Sequence, residues 1–227
     1  MLYKNSSQTK LQSFRIDAYP ITNFQFQKFV LDSPNWNKAN SPKSEHKNVY
    51  YLLNWIDNEY PTGKKNHPVV WINWLAAAAY CNWRSNIENL EICYPNIDSI
   101  KDRYFCNENA NGYRLPNKNE FESAVLGGIT TLYPWGDEID NSNTNYGNHV
   151  GDTTYVGKYP PNEFGIYDLC GNVKEWCNDW NDYEKEYKTF KNGSWAGDEN
   201  ESRCDNFSWL LPENTNPDFG FRCMKKA

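Results

Sequence analysis

The sequence predicts an α+β protein: short helices, short antiparallel strands and much irregular loop. Three observations lead there. Phenylalanine, tyrosine and tryptophan make up 16% of the 227 residues while mean hydropathy is −0.88, so the apolar mass lies in aromatics scattered among polar residues. That favours a loop-rich globule over a helical bundle. Helical periodicity is confined to three stretches before residue 128, and beyond them the texture changes to turns rich in Gly, Pro, Asn and Asp with brief apolar runs. There is no internal repeat and no low-complexity linker, so one domain over 1–227 is the simplest reading.

Each element follows from local pattern. In "YPITNFQFQKFVLDS", Thr22 stands as an N-cap before Phe26, Phe29 and Val30, which share a helix face. In "HPVVWINWLAAAAYCNWRS", a β-branched run at Val69 to Ile72 predicts a short strand, and Asn73 caps a second helix whose alanines allow close packing. In "GYRLPNKNEFESAVLGG", Asn117 and Glu120 have capping-box spacing, Phe121, Ala124 and Val125 form the stripe, and Gly127-Gly128 ends the helix. Short strands are expected at 154–156, 188–190 and 219–224, separated by the long loops 141–152 and 197–218.

Composition narrows the function classes. A net charge of −6 with dispersed lysines lacks the basic stripe that tracks phosphates, so no nucleic-acid partner is expected. No apolar run approaches the roughly 20 residues of a membrane span, and the first 30 residues lack signal-peptide zones, which gives a cytoplasmic expectation. The seven cysteines are odd in number and form no C-x-x-C pair; they read as small reduced hydrophobes. His46, His67 and His149 show no i, i+4 pair and read as ordinary polar or turn residues. "NGSW" around Ser194 is not a nucleophile elbow, and "GG" at 127–128 ends a helix where a phosphate loop would begin one.

The segment "GIYDLCGNVKEWCNDW" poses the sharpest question, since Asp168 and Glu175 flank a Gly-Asn pair beside Trp176 and Trp180. On spacing alone, Asp168 caps a turn and Glu175 pairs with a surface lysine. Four ordered phrases change the weighing: "HPVVWINWLAAAAYCNW", "GYRLPNKNEFESAVLGG…YPWGD", "PPNEFGIYDLCGNVKEW" and "NGSW…GFR". Together, from about Phe14 to Cys223, they resemble the formylglycine-generating-enzyme-like (sulfatase-modifying-factor) family, which has a variant of the C-type lectin fold. The resemblance implies a structural calcium held by the carboxylates of Asp168 and Glu175 and the carbonyls of Gly171 and Val173. A hard cation does want several oxygens converging on one point. The loop before "PPN" lacks the acidic stretch of a second calcium site.

The same resemblance argues against catalysis. The founding enzymes hold copper with two cysteines three and eight residues after the serine that is Ser194 here; those positions are Gly197 and Ser202. Cys204, two residues further on, has no evident partner, and one thiol cannot hold copper(I) in two-coordinate fashion. No copper is expected. The three histidines likewise fall short of the iron site of the family's sulfoxide synthases. Two readings remain. The first is a non-catalytic binding protein whose surface, about 196–218, recognises a protein or other exposed ligand through Ala196, Asp198, Asn200, Asp205, Asn206, Phe207, Ser208, Leu210 and Leu211. Its layout is similar to the variable proteins of diversity-generating retroelements, in which Trp195, Glu199, Glu201, Trp209 and Glu213 would be fixed scaffold. The second is a metal-dependent oxidoreductase with a displaced active site, which predicts a pocket with ligands converging near Cys204. Oligomeric state is not legible in the sequence.

Overall fold

The structure, a computed structural model, describes residues 13–40, 50–99, 102–128 and 130–227. All three helices form where cap and stripe place them. α1 (Asn23–Asp32) starts at Thr22, whose Oγ1 accepts from the Gln25 N–H while Gln25 Oε1 accepts from the Thr22 N–H. α2 (Trp74–Ile87) is capped by Asn73, whose Oδ1 accepts from the Ala76 N–H at 2.9 Å. Every residue from Trp74 to Asn82 is buried, which its alanines permit, so α2 runs through the interior. α3 (Lys118–Leu126) carries the capping box between Asn117 and Glu120, with both bonds at 2.8 Å. It stops at Gly127, whose φ of 56° is left-handed and where a Cβ would strike the Phe164 ring at 2.0 Å.

Two sheets organise the rest. β1 (Phe14–Ile16) pairs antiparallel with β6 (Met224–Lys226). A four-stranded sheet has the order β4-β3-β2-β5, made of β2 (Lys174–Trp180), β3 (Lys188–Lys191), β4 (Phe207–Leu210) and β5 (Phe219–Gly220). β3 pairs antiparallel with both β2 and β4, and β5 joins β2 in parallel. β2 is sandwiched because its side chains alternate between two cores. Trp176 enters the larger core with α1, α2, Phe190 and Phe219; Cys177 enters the smaller one with Phe121, Val125, Leu169, Cys170 and Cys204.

Two expected strands are loops instead. At 69–72 the chain turns through Trp71, whose φ is 60°, and its amides bond separately, Val69 N–H to Ile21 O and Trp71 N–H to Asn216 O. At 154–156 the Thr154 N–H goes to the Asn172 side chain and the Val156 N–H to Asn66 O. A β-branched run makes a strand only where a parallel or antiparallel neighbour presents a matching ladder. Conversely β4 arises inside the expected loop 197–218, and β2 forms where no strand was expected. Among the described residues, no helix is long and apolar enough to cross a membrane.

β3 buries both of its lysines. Lys188 Nζ lies 4.1 Å from the Trp74 ring and 3.9 Å from the Trp180 ring, and donates to Asn178 O at 2.8 Å. Burial pushes its pKa down to about 7, so the folded protein pays for a charged Lys188 below that pH and recovers the loss as pH rises toward the unfolded value of 10.5. Relative to wild type, Lys188→Met is therefore expected to be more stable at pH 6 than at pH 9.5. Urea denaturation of both proteins at the two pH values checks this, and an unchanged difference would show that Lys188 does not titrate in that window.

Candidate functional site

The acids of "GIYDLCGNVKEWCNDW" sit at a junction of four segments. Glu175, on β2, is fully buried and makes a bidentate pair with Arg222: Nε to Oε2 at 2.7 Å and Nη2 to Oε1 at 2.8 Å. Asn192 Nδ2 donates to the same Oε1 at 3.1 Å. The remaining Arg222 N–H groups reach Asp17 O, Ala18 O and Tyr167 O, so the guanidinium is fully used. Burial pushes the Glu175 carboxyl up and Arg222 pulls it down. Two short charge-assisted bonds to an arginine that does not release its proton fix the pair as ionised.

Asp168 is buried but belongs to a different contact. Its Oδ2 accepts from the Gly157 N–H at 2.7 Å and its Oδ1 from Asn172 Nδ2 at 3.3 Å. Burial raises its pKa to about 6. The Gly171 carbonyl accepts from the Val173 N–H at 2.9 Å. The expected calcium ligands Asp168, Gly171, Val173 and Glu175 thus do not fit the ion as arranged, because a guanidinium already holds the strongest donor and a cation would have to displace it. The reading from spacing alone comes nearer: Asp168 secures a turn and Glu175 pairs with a base, though that base is a buried arginine. Among the described residues, no three His, Cys, Asp or Glu side chains are grouped to hold a metal. His67 Nδ1 lies 3.0 Å from Thr153 Oγ1, His149 is exposed, and His46 lies outside the described residues.

The segment 194–211 presents the other candidate surface, and the interior holds it at many points. Ser194 Oγ donates to Asp218 at 2.7 Å, and Ser202 Oγ, fully buried, donates to Asp198 O at 2.9 Å. Lys191 Nζ, also buried, donates to Cys204 O at 2.6 Å. The Cys204 N–H bonds Leu132 O, Tyr133 Oη bonds Glu199 O, and Lys174 pairs with Glu201 at 3.2 Å. With its main chain so fastened, the loop turns short polar side chains outward.

Of the expected contact residues, Ala196, Asp198, Asn200, Asp205, Phe207 and Leu211 are exposed. Asp198, Asn200, Asp205 and Asn206 come together, with Glu201 and Arg203, around an open depression of about 400 Å³. Ser208 and Leu210 are half-buried, and Leu210 packs on the larger core. Trp209, which the retroelement layout makes fixed scaffold, is 48% exposed, in line with Phe207 at 37% and Leu211 at 42%. The alternation in "FSWLL" was the available signal, since a strand there puts 207, 209 and 211 on one face.

Cys204 does have a partner: its Sγ lies 3.3 Å from Cys170 Sγ, both buried. Burial pushes the Cys170 thiol well up, the opposite of what a reactive thiolate requires. The depression beside this loop is lined by carboxylates, amides and one guanidinium, without thiol or imidazole.

Over residues 4–227 the sequence matches the model of the sulfatase-modifying factor enzyme 1-like domain. "Serine/threonine-protein kinase pkn1" of Chlamydia caviae is 30% identical over 240 residues, covering 95% of this chain and 33% of that protein. The chain thus spans about a third of the length of that relative. "Inactive C-alpha-formylglycine-generating enzyme 2" of Bos taurus is 27% identical over 263 residues, covering 96% of this chain and 78% of that one. Among solved structures, Treponema denticola variable protein 1 is alike in fold, with a TM-score of 0.72 at 24% identity, over 94% of this chain and 84% of that chain.

Arg222→Met is expected to destabilise the protein by about 3–5 kcal/mol, because it strands a buried carboxylate, and a second change, Glu175→Leu, should restore much of that loss. Urea titration of the two single variants and the double gives the coupling. Wild-type melting should coincide in excess calcium and in EDTA; a rise of several degrees in calcium would put the ion back at this junction.

Proposed function

The chain belongs to the sulfatase-modifying factor enzyme 1-like domain family, and from that premise we propose that it is a non-catalytic binding protein that recognises a protein or other exposed ligand. Its contact surface lies within 196–218, centred on Asp198, Asn200, Asp205, Phe207, Trp209 and Leu211. The carrying observation is the division of labour along this loop: its main chain is fastened to buried Lys191, Ser202 and Cys204, while its exposed side chains are small polar groups and large apolar ones. Rigid support with adaptable side chains suits recognition, because little loop entropy is lost on binding.

Two further points support the reading. The positions that carry copper-binding cysteines in the family's enzymes are Gly197 and Ser202, and the Ser202 hydroxyl is spent on the loop's own backbone. Relatives include a protein named as an inactive formylglycine-generating enzyme, and one of similar fold is named a variable protein. Diversification of the exposed positions by a retroelement is the finer form of this reading, and it rests on the layout of the segment from "NGSW" to "GFR".

Selection of binders to the protein from a displayed random-peptide library tests the proposal. Enriched binders should lose at least tenfold in affinity with Trp209→Ala, the behaviour of a central apolar anchor, while the melting temperature stays within about two degrees of wild type. Binders that ignore substitutions at Asp198, Asn200, Phe207 and Trp209 would mean that this surface is not the recognition site.

A further inference from the structure

The four-stranded sheet has two ends, and only one of them is open. β5 is buried at both of its residues, whereas β4 alternates between exposed and half-buried positions. Among the described residues the main chain of Phe207–Leu210 makes no hydrogen bond outside its ladder with β3. Alternate N–H and C=O groups of β4 therefore point away from the sheet with no partner among the described residues. Exposed edges are ordinarily blunted by a lysine, a proline or a bulge. The strand "FSWL" contains neither lysine nor proline, and its pairing with β3 runs without a shift from Lys191↔Phe207 to Lys188↔Leu210.

Charge identifies the kind of chain that such an edge would accept. The 198–205 loop ahead of β4 has Asp198, Glu199, Glu201 and Asp205 against three bases, Lys174, Arg203 and Lys118, whose Nζ lies 3.8 Å from the Phe207 ring. Beyond the Lys188–Leu210 pair, the turn joining β2 to β3 has Asp182, Glu184 and Glu186 against Lys185 alone. Both ends of β4 are thus net acidic, with an apolar stretch between them. A second copy paired antiparallel through β4 would bring each acidic end against the other copy's acidic end, which opposes self-association.

We propose that β4 takes up an extended, basic segment of a partner protein as an added fifth strand of the sheet. This rests on the binding reading above and specifies the partner's chemistry. The incoming strand would bond the outward main-chain groups of Phe207–Leu210 and set apolar side chains at alternate positions beside Phe207, Trp209 and Leu211. Basic residues at its two ends would meet the acidic flanks. A ladder of four residues is short, so side-chain and charge contacts must supply much of the affinity and all of the selectivity.

The test uses a fluorescein-labelled synthetic peptide of alternating valine and threonine flanked by lysine pairs, with two controls: glutamate in place of lysine, and proline in place of the central threonine. Anisotropy should show the lysine peptide binding the full chain, at least tenfold more weakly in about 0.5 M salt than in 0.05 M, with both controls binding at least tenfold more weakly. Amide hydrogen exchange of 207–211 should slow on binding, and Trp209→Lys should cost about tenfold without changing the melting temperature. Equal binding of the proline or glutamate peptide, no binding at all, or unchanged exchange at 207–211 would each overturn strand addition. So would a concentration-dependent dimer that protects the same amides, because the occupant would then be a second copy. Displayed binders that need Trp209 but leave exchange unchanged would overturn this inference and leave the binding surface standing, whereas binders indifferent to Asp198, Asn200, Phe207 and Trp209 alike would remove both.

Discussion

The rest of the structure depends on the ion pair between Glu175 and Arg222, two fully buried charges of opposite sign. Taking them from water costs several kcal/mol each, and the pair is tolerable only because each partner is nearly saturated. Arg222 spends its five donors on the carboxylate and on three carbonyls from Asp17, Ala18 and Tyr167; Glu175 also accepts from Asn192. Those contacts join β2 to the segment after β1, to the turn before "DLCGN" and to the end of β3. Where ladder bonds are few, a charged hub of this kind can define how irregular segments meet. Calcium performs that task with oxygen ligands, and here a guanidinium supplies the positive charge from within the chain.

From that hub the order extends outward to the candidate surface. Asn192 links Glu175 to the turn at Asp168 and Cys170, accepting from the Cys170 N–H at 3.0 Å. Cys170 touches Cys204, and Lys191, next to Asn192, holds the Cys204 carbonyl. The loop that carries Asp198, Asn200 and Asp205 is therefore fastened to the same interior as the ion pair. Gly193 is part of this fastening, since a Cβ there would meet Ser202 Oγ at 2.4 Å. The exposed side chains can change without touching any of these contacts.

Much of the fold was legible because its signals are local. Thr22, Asn73 and Asn117 each announce a helix through a side chain that reaches only three residues ahead. Strands are less legible: Val69–Ile72 is by far the more apolar run, yet Lys188–Phe190 is the one that finds neighbours in register. Pairing depends on distant residues that spacing does not show. The site divides the same way. The exposed polar residues of 198–206 follow from composition, whereas the exposure of Trp209 and the burial of Leu210 require knowing that the segment is an edge strand. The pairing of Glu175 with a residue 47 positions away has no signature in either neighbourhood. A resemblance that supplied calcium ligands one by one could not show that Arg222 reaches the same carboxylate.

Gly197 and Ser202, where the family resemblance puts the copper-binding cysteines, have structural roles of their own. At position 202 the serine hydroxyl donates to Asp198 O and lies against Gly193. At position 197 a side chain would meet the Glu201 carboxylate at 2.4 Å, and that carboxylate is the partner of Lys174 on β2. Both positions have become parts of the loop's own support. Restoring Cys at both would have to recreate a metal site while removing a buried hydroxyl bond and crowding an ion pair. Under the proposed binding reading, the contacts that hold the loop therefore stand at the positions where the family resemblance puts thiolates, and two cysteines there would cost the loop its Ser202 bond and crowd its Lys174–Glu201 pair.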